Sequence, residues 1–377
     1  MNRRDWLTRT AGAAAGLVAG GAAPLAWASG PRSLRNAGTL EDPIRLHSNE
    51  NPFGPSAPAR EAMSQAFGAA WHYPSEYYGP LVDRIATHEG VPADHIFLGA
   101  GSHEVLRTVG TAFGIAGGHI VAPYPTYEAF GAYARSVGGI VERVPLTADM
   151  ETDLTGIEAA VTGDTALVFI CNPNNPTGRV VPSDELGSVI ARLDGQCTVL
   201  VDEAYHEYVQ HPGYRSCVPL VRDGADVIVS RTFSKIFGLA GLRVGYAIAH
   251  PNTVRRLLEF RNRHSVSSVS VAAALASHGD EAFVEFSRQE NAAGRELVYE
   301  AARAAGMNFL ESEGNYVFVH VAEPVDRFQR RMSDRGILVG RAFPPYVDWA
   351  RISIGTRAEM ERFAAALVGV ASEMGEG

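Results

Sequence analysis

Short, unbroken apolar runs recur through the middle of the chain: residues 166–170 (ALVFI), 198–201 (TVLV) and Val227–Val229, each closed by turn or polar residues. Unbroken runs of this length suit strands buried on both faces of a parallel sheet. Between about 72 and 262 such runs alternate with helical stretches, which predicts a large α/β domain built on a mainly parallel central sheet. Within it, HIFLGAGSHEVLRTV (95–109) reads as a strand, a Gly-rich turn and a helix opening near Ser102. After Arg261 the spacing becomes helical, through VAAALASHGDEAFVEFSRQENAAGRELVYEAARAAG. YVFVHV (316–321), GILVG (336–340) and ARISIG (350–355) then predict strands of a smaller α+β domain. The early segment is expected to pack with it, so that the small domain comprises 29–71 and 263–377.

Residues 1–28 carry a different pattern. Paired arginines at Arg3 and Arg4 precede Asp5, Trp6 and Leu7, and an Ala/Gly-rich, weakly apolar stretch ends in Ala26-Trp27-Ala28. This is the pattern of a twin-arginine (Tat) export signal with a small-x-small cleavage site, and it predicts a periplasmic or exported protein. Alanine and glycine give little lipid affinity over a span of that length, so no stable membrane insertion is expected after cleavage. The full chain has a net charge of −9, and the signal contributes three arginines against one aspartate, so the remainder is more acidic still. That balance argues against a nucleic-acid partner. Cys171, Cys197 and Cys217 are few and odd in number, so no disulfide framework is implied.

The candidate chemistry lies at the ends of the apolar runs. In open α/β sheets the ligand sits beyond the carboxyl ends of the strands. Lys235 follows Val227–Val229 among Ser230, Thr232 and Ser234, with Arg243 eight residues on. A lysine held among phosphate-type ligands suits a Schiff-base enzyme, its amine condensing with an aldehyde cofactor whose phosphate the hydroxyls and arginine hold. Alone, the segment equally suits a surface lysine in a Ser-rich loop. NPNNPTG (172–178) closes another run, and Asp202, Glu203, Ala204 and Tyr205 a third. Asparagine, aspartate, tyrosine and lysine would thus converge on one crevice. Asp202 by itself also suits a helix N-cap, and NPNNPTG an ordinary Pro/Asn turn. The helix N-terminus near Ser102 offers amides and a dipole for a phosphate. Tyr127, in PTYEAF (125–130), is placed to stack on a flat ring.

Together these motifs resemble the fold-type I, class I/II aminotransferases that use pyridoxal 5′-phosphate (PLP), and most of all the histidinol-phosphate aminotransferases. The resemblance runs from SNENPFGPS (48–56) to RISIGT (351–356). It implies that Lys235 carries the cofactor as a Schiff base and moves the substrate proton. It further implies that Asp202 pairs with the pyridine nitrogen, that Asn175 and Tyr205 hold O3′, and that Tyr127 stacks on the ring. Ser234, Arg243 and the amides at Ser102–His103 would hold the phosphate, and Tyr73 would reach the phosphate bound by a neighbouring subunit, which implies a homodimer. Arg351 would grip the substrate α-carboxylate, with Asn51 and Arg341 as further substrate-binding residues. A planar guanidinium binds a carboxylate bidentately and so fixes which Cα bond stands perpendicular to the ring.

Two positions depart from the family pattern. His103 stands where an acid is usual (GSDE or GADE), and Gly340 stands near the place of an arginine that binds the substrate phosphate, with Arg341 one step on. Phe343, Tyr346 and Trp349 offer aromatic walls, so an altered side-chain pocket is expected. The implied reaction is transamination between an amino acid or amine and a 2-oxo acid. The alternatives are a PLP-dependent decarboxylase or lyase on the same scaffold, or a non-catalytic periplasmic binding protein, which would need neither Lys235 nor Asp202. Glu203, His206, Glu207 and His211 suggest a metal cluster by spacing, but no second ligand set completes it, so no metal is expected.

Overall fold

The computed structural model describes residues 39–375; the candidate signal, residues 1–28, lies outside them. The chain enters on β1 (Ile44–Leu46) and lays down β2 (Ile96–Gly99), β3 (His119–Tyr124), β4 (Ile140–Pro145), β5 (Thr165–Cys171), β6 (Thr198–Asp202), β7 (Val227–Thr232) and β8 (Gly245–Ile248). β2 to β8 form one seven-stranded sheet in the order β2-β8-β7-β6-β5-β3-β4. Only β8 runs against the rest, antiparallel to both β7 and β2. The α/β expectation is met.

Alternate residues of these strands enter two different cores. Phe97, Ile120, Leu167, Phe169, Leu200 and Ile228 face one layer, with Val105, Phe113 and Phe130 from the helices 101–114 and 129–136. Leu98, Val121, Val168, Val199, Val201 and Val229 face the other. Helices on both faces explain why the runs are apolar throughout rather than alternating.

β9 (Phe309–Leu310), β10 (Tyr316–His320) and β12 (Trp349–Ser353) form a small antiparallel sheet, while β11 (Ile337–Val339) pairs in parallel with β1. Val317, Val319, Ala350 and Ile352 turn toward the long helices 281–304 and 357–375, packing with Val298, Ala302, Phe363 and Leu367. The opposite face carries Tyr316, Phe318 and His320 beside Ser353, Arg351 and Trp349.

The large core reaches beyond 72–262 on both sides. Ala59 from the helix 57–66, and Val266, Val271, Ala273 and Ala274 in and before the helix 268–277, all join it. Those two helices pack on each other. Helical spacing identifies a helix but not the core it covers, so the sequence assigned both to the small domain. Among the described residues no helix is long and apolar enough to cross a membrane. All three cysteines are buried free thiols.

A charged network lies under the large sheet. Arg231 of β7 is 3% exposed, and its guanidinium reaches Glu203 at 2.8 Å, Glu89 at 3.6 Å and Glu207 at 3.7 Å. Glu203 also accepts from the Cys217 amide and the Ser216 hydroxyl, which ties the loop after β6 to β7. Glu203 and Glu207 are thereby engaged with an arginine, and among the described residues no group of three or more His, Cys, Asp or Glu could hold a metal ion. Removing the cation strands a buried carboxylate, which typically costs about 3–5 kcal/mol. Arg231→Met is therefore expected to lower stability toward urea by about that amount, and adding Glu203→Gln to recover part of it. A loss below about 1 kcal/mol would mean the network is not a structural centre.

Candidate active site

Six parallel strands deliver their carboxyl ends to one edge of the sheet, and the reversed β8 begins there. Gly245, its first residue, sits between Gly99 and Thr232. A Cβ at Gly245 would lie 2.4 Å from the Ser102 amide nitrogen, so only glycine lets the β8 entry approach the helix 101–114 this closely. Gly101, at φ +74°, has a left-handed backbone that favours glycine, and a Cβ there would push on the Arg243 guanidinium. Ser102, His103, Ser234 and Arg243 are thus brought together: Arg243 donates to Ser234 Oγ at 3.3 Å and approaches His103 Nδ1 at 3.3 Å. Arg243 itself adopts φ 55°, a left-handed conformation uncommon for a non-glycine residue and frequent at ligand sites. Helix amides, a hydroxyl and an arginine at one point make an anion cradle.

His103 links this cradle to Tyr127. An arginine has only protons to offer, so Nδ1 of His103 accepts and Nε2 carries the hydrogen. Nε2 lies 2.7 Å from the Tyr127 hydroxyl oxygen, which therefore accepts from it and keeps its own proton free to donate elsewhere. Burial, then Arg243 and Lys235, lower the imidazole's proton affinity, in keeping with the neutral ring.

Lys235 and Asp202 face the same space. Asp202, the last residue of β6, is 2% exposed, and its Oδ1 has no hydrogen-bond partner. Burial pushes its carboxyl up to about 7, with Ser230 and Lys235 pulling the other way. Burial also brings the Lys235 ammonium down to about 8, helped by Arg351 and opposed by Asp202. A buried acid with an unused oxygen, opposite an amine with a lowered pKa, suits a ligand bearing both a cationic ring nitrogen and an electrophile.

Tyr205 sits between the domains. Its hydroxyl accepts from Asn49 Nδ2 at 3.0 Å and faces Asn175 Nδ2 at 3.5 Å. Asn175 Oδ1 in turn accepts from Arg351 at 2.7 Å, and Arg351 also donates to the His47 carbonyl, while its buried Nε has no partner. Asn49 was not singled out from the sequence, yet its carbonyl accepts from Lys235 Nζ at 3.2 Å. Its φ of 51° is tolerated by asparagine better than by most residues, but Asn51 shares that preference, so no local signal separates the two. Asn51, which the sequence singled out instead, donates to the Ile236 carbonyl and Ser287, away from this cluster.

Tyr73 also lies outside the cluster. Its ring is 79% exposed and rests on His264, near the exposed Phe67 and Trp71. Arg341 projects from the loop after β11 and pairs with Glu128 at 3.1 Å. Tyr346 and Trp349 pack around Phe318, and Phe343 lies beneath both Arg341 and Arg351.

These pKa shifts make ligand-free stability depend on pH with a defined sign. The folded state keeps the Asp202 proton from 3.8 up to about 7, where the unfolded chain has lost it, so this group's contribution falls as pH rises through that window. The folded state releases the Lys235 proton near 8 rather than 10.5, so that contribution rises with pH over this upper range. Asp202→Asn is therefore expected to raise the Tm of the ligand-free protein at pH 8, with the gain vanishing toward pH 4. Melting curves giving an equal gain at both pH values would contradict the assignment.

The chain matches the family model described as aminotransferase class I and II over residues 41–367. It is 37% identical to the histidinol-phosphate aminotransferase of Moorella thermoacetica, over 87% of this chain and 85% of that protein. It is 39% identical to histidinol-phosphate aminotransferase 1 of Cupriavidus pinatubonensis, over 86% and 87% respectively. The crystal structure of the histidinol-phosphate aminotransferase from Sinorhizobium meliloti in complex with pyridoxal-5′-phosphate superposes with a TM-score of 0.82 at 31% identity, covering 88% of this chain and 91% of that one. With a family match over most of its length and a lysine, an aspartate and an anion cradle converging at one sheet edge, the chain belongs to the class I and II aminotransferases.

Proposed function

We propose that this protein is a PLP-dependent aminotransferase that moves an amino group between an amino acid or amine and a 2-oxo acid. The observation that carries this reading is that Lys235, its amine lowered to about 8, and the buried, unpartnered Oδ1 of Asp202 end or follow adjacent strands at one sheet edge. The residues present fit the cofactor: a cradle at Gly101, Ser102, Ser234 and Arg243 for a phosphate, and an open carboxylate oxygen for a ring nitrogen. When bound, PLP supplies an aldehyde that condenses with amines and a ring that takes up the electrons of a broken Cα bond.

The chain's own residues would do the rest. Asp202 places a carboxylate where a protonated ring nitrogen would sit, and such a cation would draw its pKa back toward the ordinary range. Tyr205 already accepts from Asn49, so its own proton is available to a ring oxygen, beside the Asn175 amide. Arg351 Nε–H is buried and unused, ready for one oxygen of an α-carboxylate. Gripping that carboxylate orients the substrate so that Cα–H, rather than Cα–carboxylate, faces the base. Lys235, once displaced from the cofactor, is the amine within reach to take that proton and return it.

Gly340, near the place of the family's phosphate-binding arginine, supports an altered side-chain pocket, with Phe343 packed at the neighbouring arginines. Tyr73, exposed beside Phe67 and Trp71, supports a homodimer in which this tyrosine completes the neighbouring phosphate cradle. The paired Arg3 and Arg4 support export by the twin-arginine route.

Lys235→Ala is expected to abolish transamination, by a factor of at least about 10⁴ in kcat, and to remove the near-visible absorbance that native protein retains after unbound PLP is washed away. Scanning native protein while amino acids are added one at a time should convert that band to the amine form, and a 2-oxo acid should restore it. Accumulation of carbon dioxide, or of ammonia with pyruvate, would replace this reading by a decarboxylase or lyase. Export is tested separately: a reporter fused after Ala28 should appear outside the cytoplasm, and Arg3→Lys with Arg4→Lys should retain it inside. Export of the double-lysine fusion at the native level would end that proposal.

A further inference from the structure

We infer that Glu128 sets the side-chain specificity of this site, by competing with the substrate for Arg341. The inference rests on the aminotransferase reading and concerns which amino acids and oxo acids the pocket admits. Glu128 directly follows Tyr127, on the loop leaving β3 of the large sheet, whereas Arg341 leaves β11, the strand paired with β1. Their side chains meet at 3.1 Å, joining the β3 end of the large sheet to the β1–β11 pair. Phe343 fixes where this happens. Its ring centre lies 4.3 Å from the Arg341 guanidinium and 5.2 Å from that of Arg351, so one aromatic ring links the two cations. A substrate whose α-carboxylate sits on Arg351 therefore has a short, ring-lined path to Arg341.

The two kinds of side chain meet this arrangement differently. An uncharged aromatic side chain packs along Phe343 and leaves the Glu128–Arg341 pair in place. A side chain ending in carboxylate or phosphate reaches Arg341 only by displacing Glu128, whose charge also repels it. The Arg341 side chain is 58% exposed and that of Glu128 28%, and pairs this exposed to water are weak. Displacement is thus possible but disfavoured, and Glu128 biases the pocket toward uncharged donors without closing it to acidic ones. Arg341 is further steadied by its own bond to the Ala342 carbonyl at 2.7 Å, so it stays in place when Glu128 is removed.

The test uses PLP-loaded protein and two inert carboxylates, so that it does not depend on turnover. Glutarate carries a second carboxylate for Arg341, and 3-phenylpropanoate carries a phenyl ring; both present one carboxylate to Arg351. Glu128→Gln is expected to tighten glutarate roughly fivefold, the scale of an exposed ion pair, and to change 3-phenylpropanoate less than twofold. Glutarate is a dianion and 3-phenylpropanoate a monoanion, so a general charge effect would also move the ratio, but it would do so with or without Arg341. In an Arg341→Gln background the same Glu128→Gln change should leave the ratio unaltered. A ratio unchanged by Glu128→Gln, or an equal shift that persists without Arg341, overturns the assignment to this pair. Native protein that binds both probes but transaminates no donor would leave the pocket assignment standing and overturn the aminotransferase reading instead.

Discussion

Asn49 joins three structural units through four polar contacts. Its backbone amide donates to Ser353 Oγ, and its side-chain oxygen accepts from the same hydroxyl. Its side-chain amide donates to Tyr205 and its carbonyl accepts from Lys235. Ser353 ends the small sheet, Tyr205 follows β6 of the large one, and Lys235 follows β7. An asparagine held at positive φ by a neighbouring serine thus fixes the entering segment where it closes the lysine's surroundings. The lowered proton affinity of Lys235 depends on that closure, because burial is its main cause. The unfavourable backbone conformation is sustained only because all four contacts are satisfied at once.

Around that junction the structure keeps opposite electrostatic problems apart. On the cleft side, Asp202 and Lys235 are buried without direct neutralisation and both titrate toward the middle of the pH range. Beneath the sheet, Arg231 and Glu203 are buried equally deeply but fully paired. Asp202 and Glu203 are consecutive residues that leave the sheet in opposite directions, one poised for a ligand and one bound into the scaffold. The alternation of a strand end is enough to separate the two roles.

Much of this was legible in the chain. The apolar runs 166–170, 198–201 and 227–229 gave three adjacent strands, because a strand buried on both faces leaves an unbroken apolar signature. Strand ends in a parallel sheet share an edge, so Asn175, Asp202, Tyr205 and Lys235 were placed together with no structure at hand. What was not legible depends on contacts between distant segments. Asn49 and Asn51 are two residues apart and chemically identical, and only the meeting with Ser353 and Tyr205 distinguishes them. Glu128 carries no local signal at all, since its partner lies 213 residues away. The helix 268–277 is apolar or small-sided nearly all round, and such a composition does not record which of two cores it meets.

The three buried thiols have a consequence for where this fold can form and persist. None is paired, and Cys171 and Cys217 are held well above the ordinary thiol range by burial, so neither offers a thiolate to an oxidant or a mixed disulfide. The native state is therefore indifferent to redox potential. It can be completed in a reducing compartment and keep the same covalent structure in an oxidising one, with no bond to form, break or reshuffle between the two.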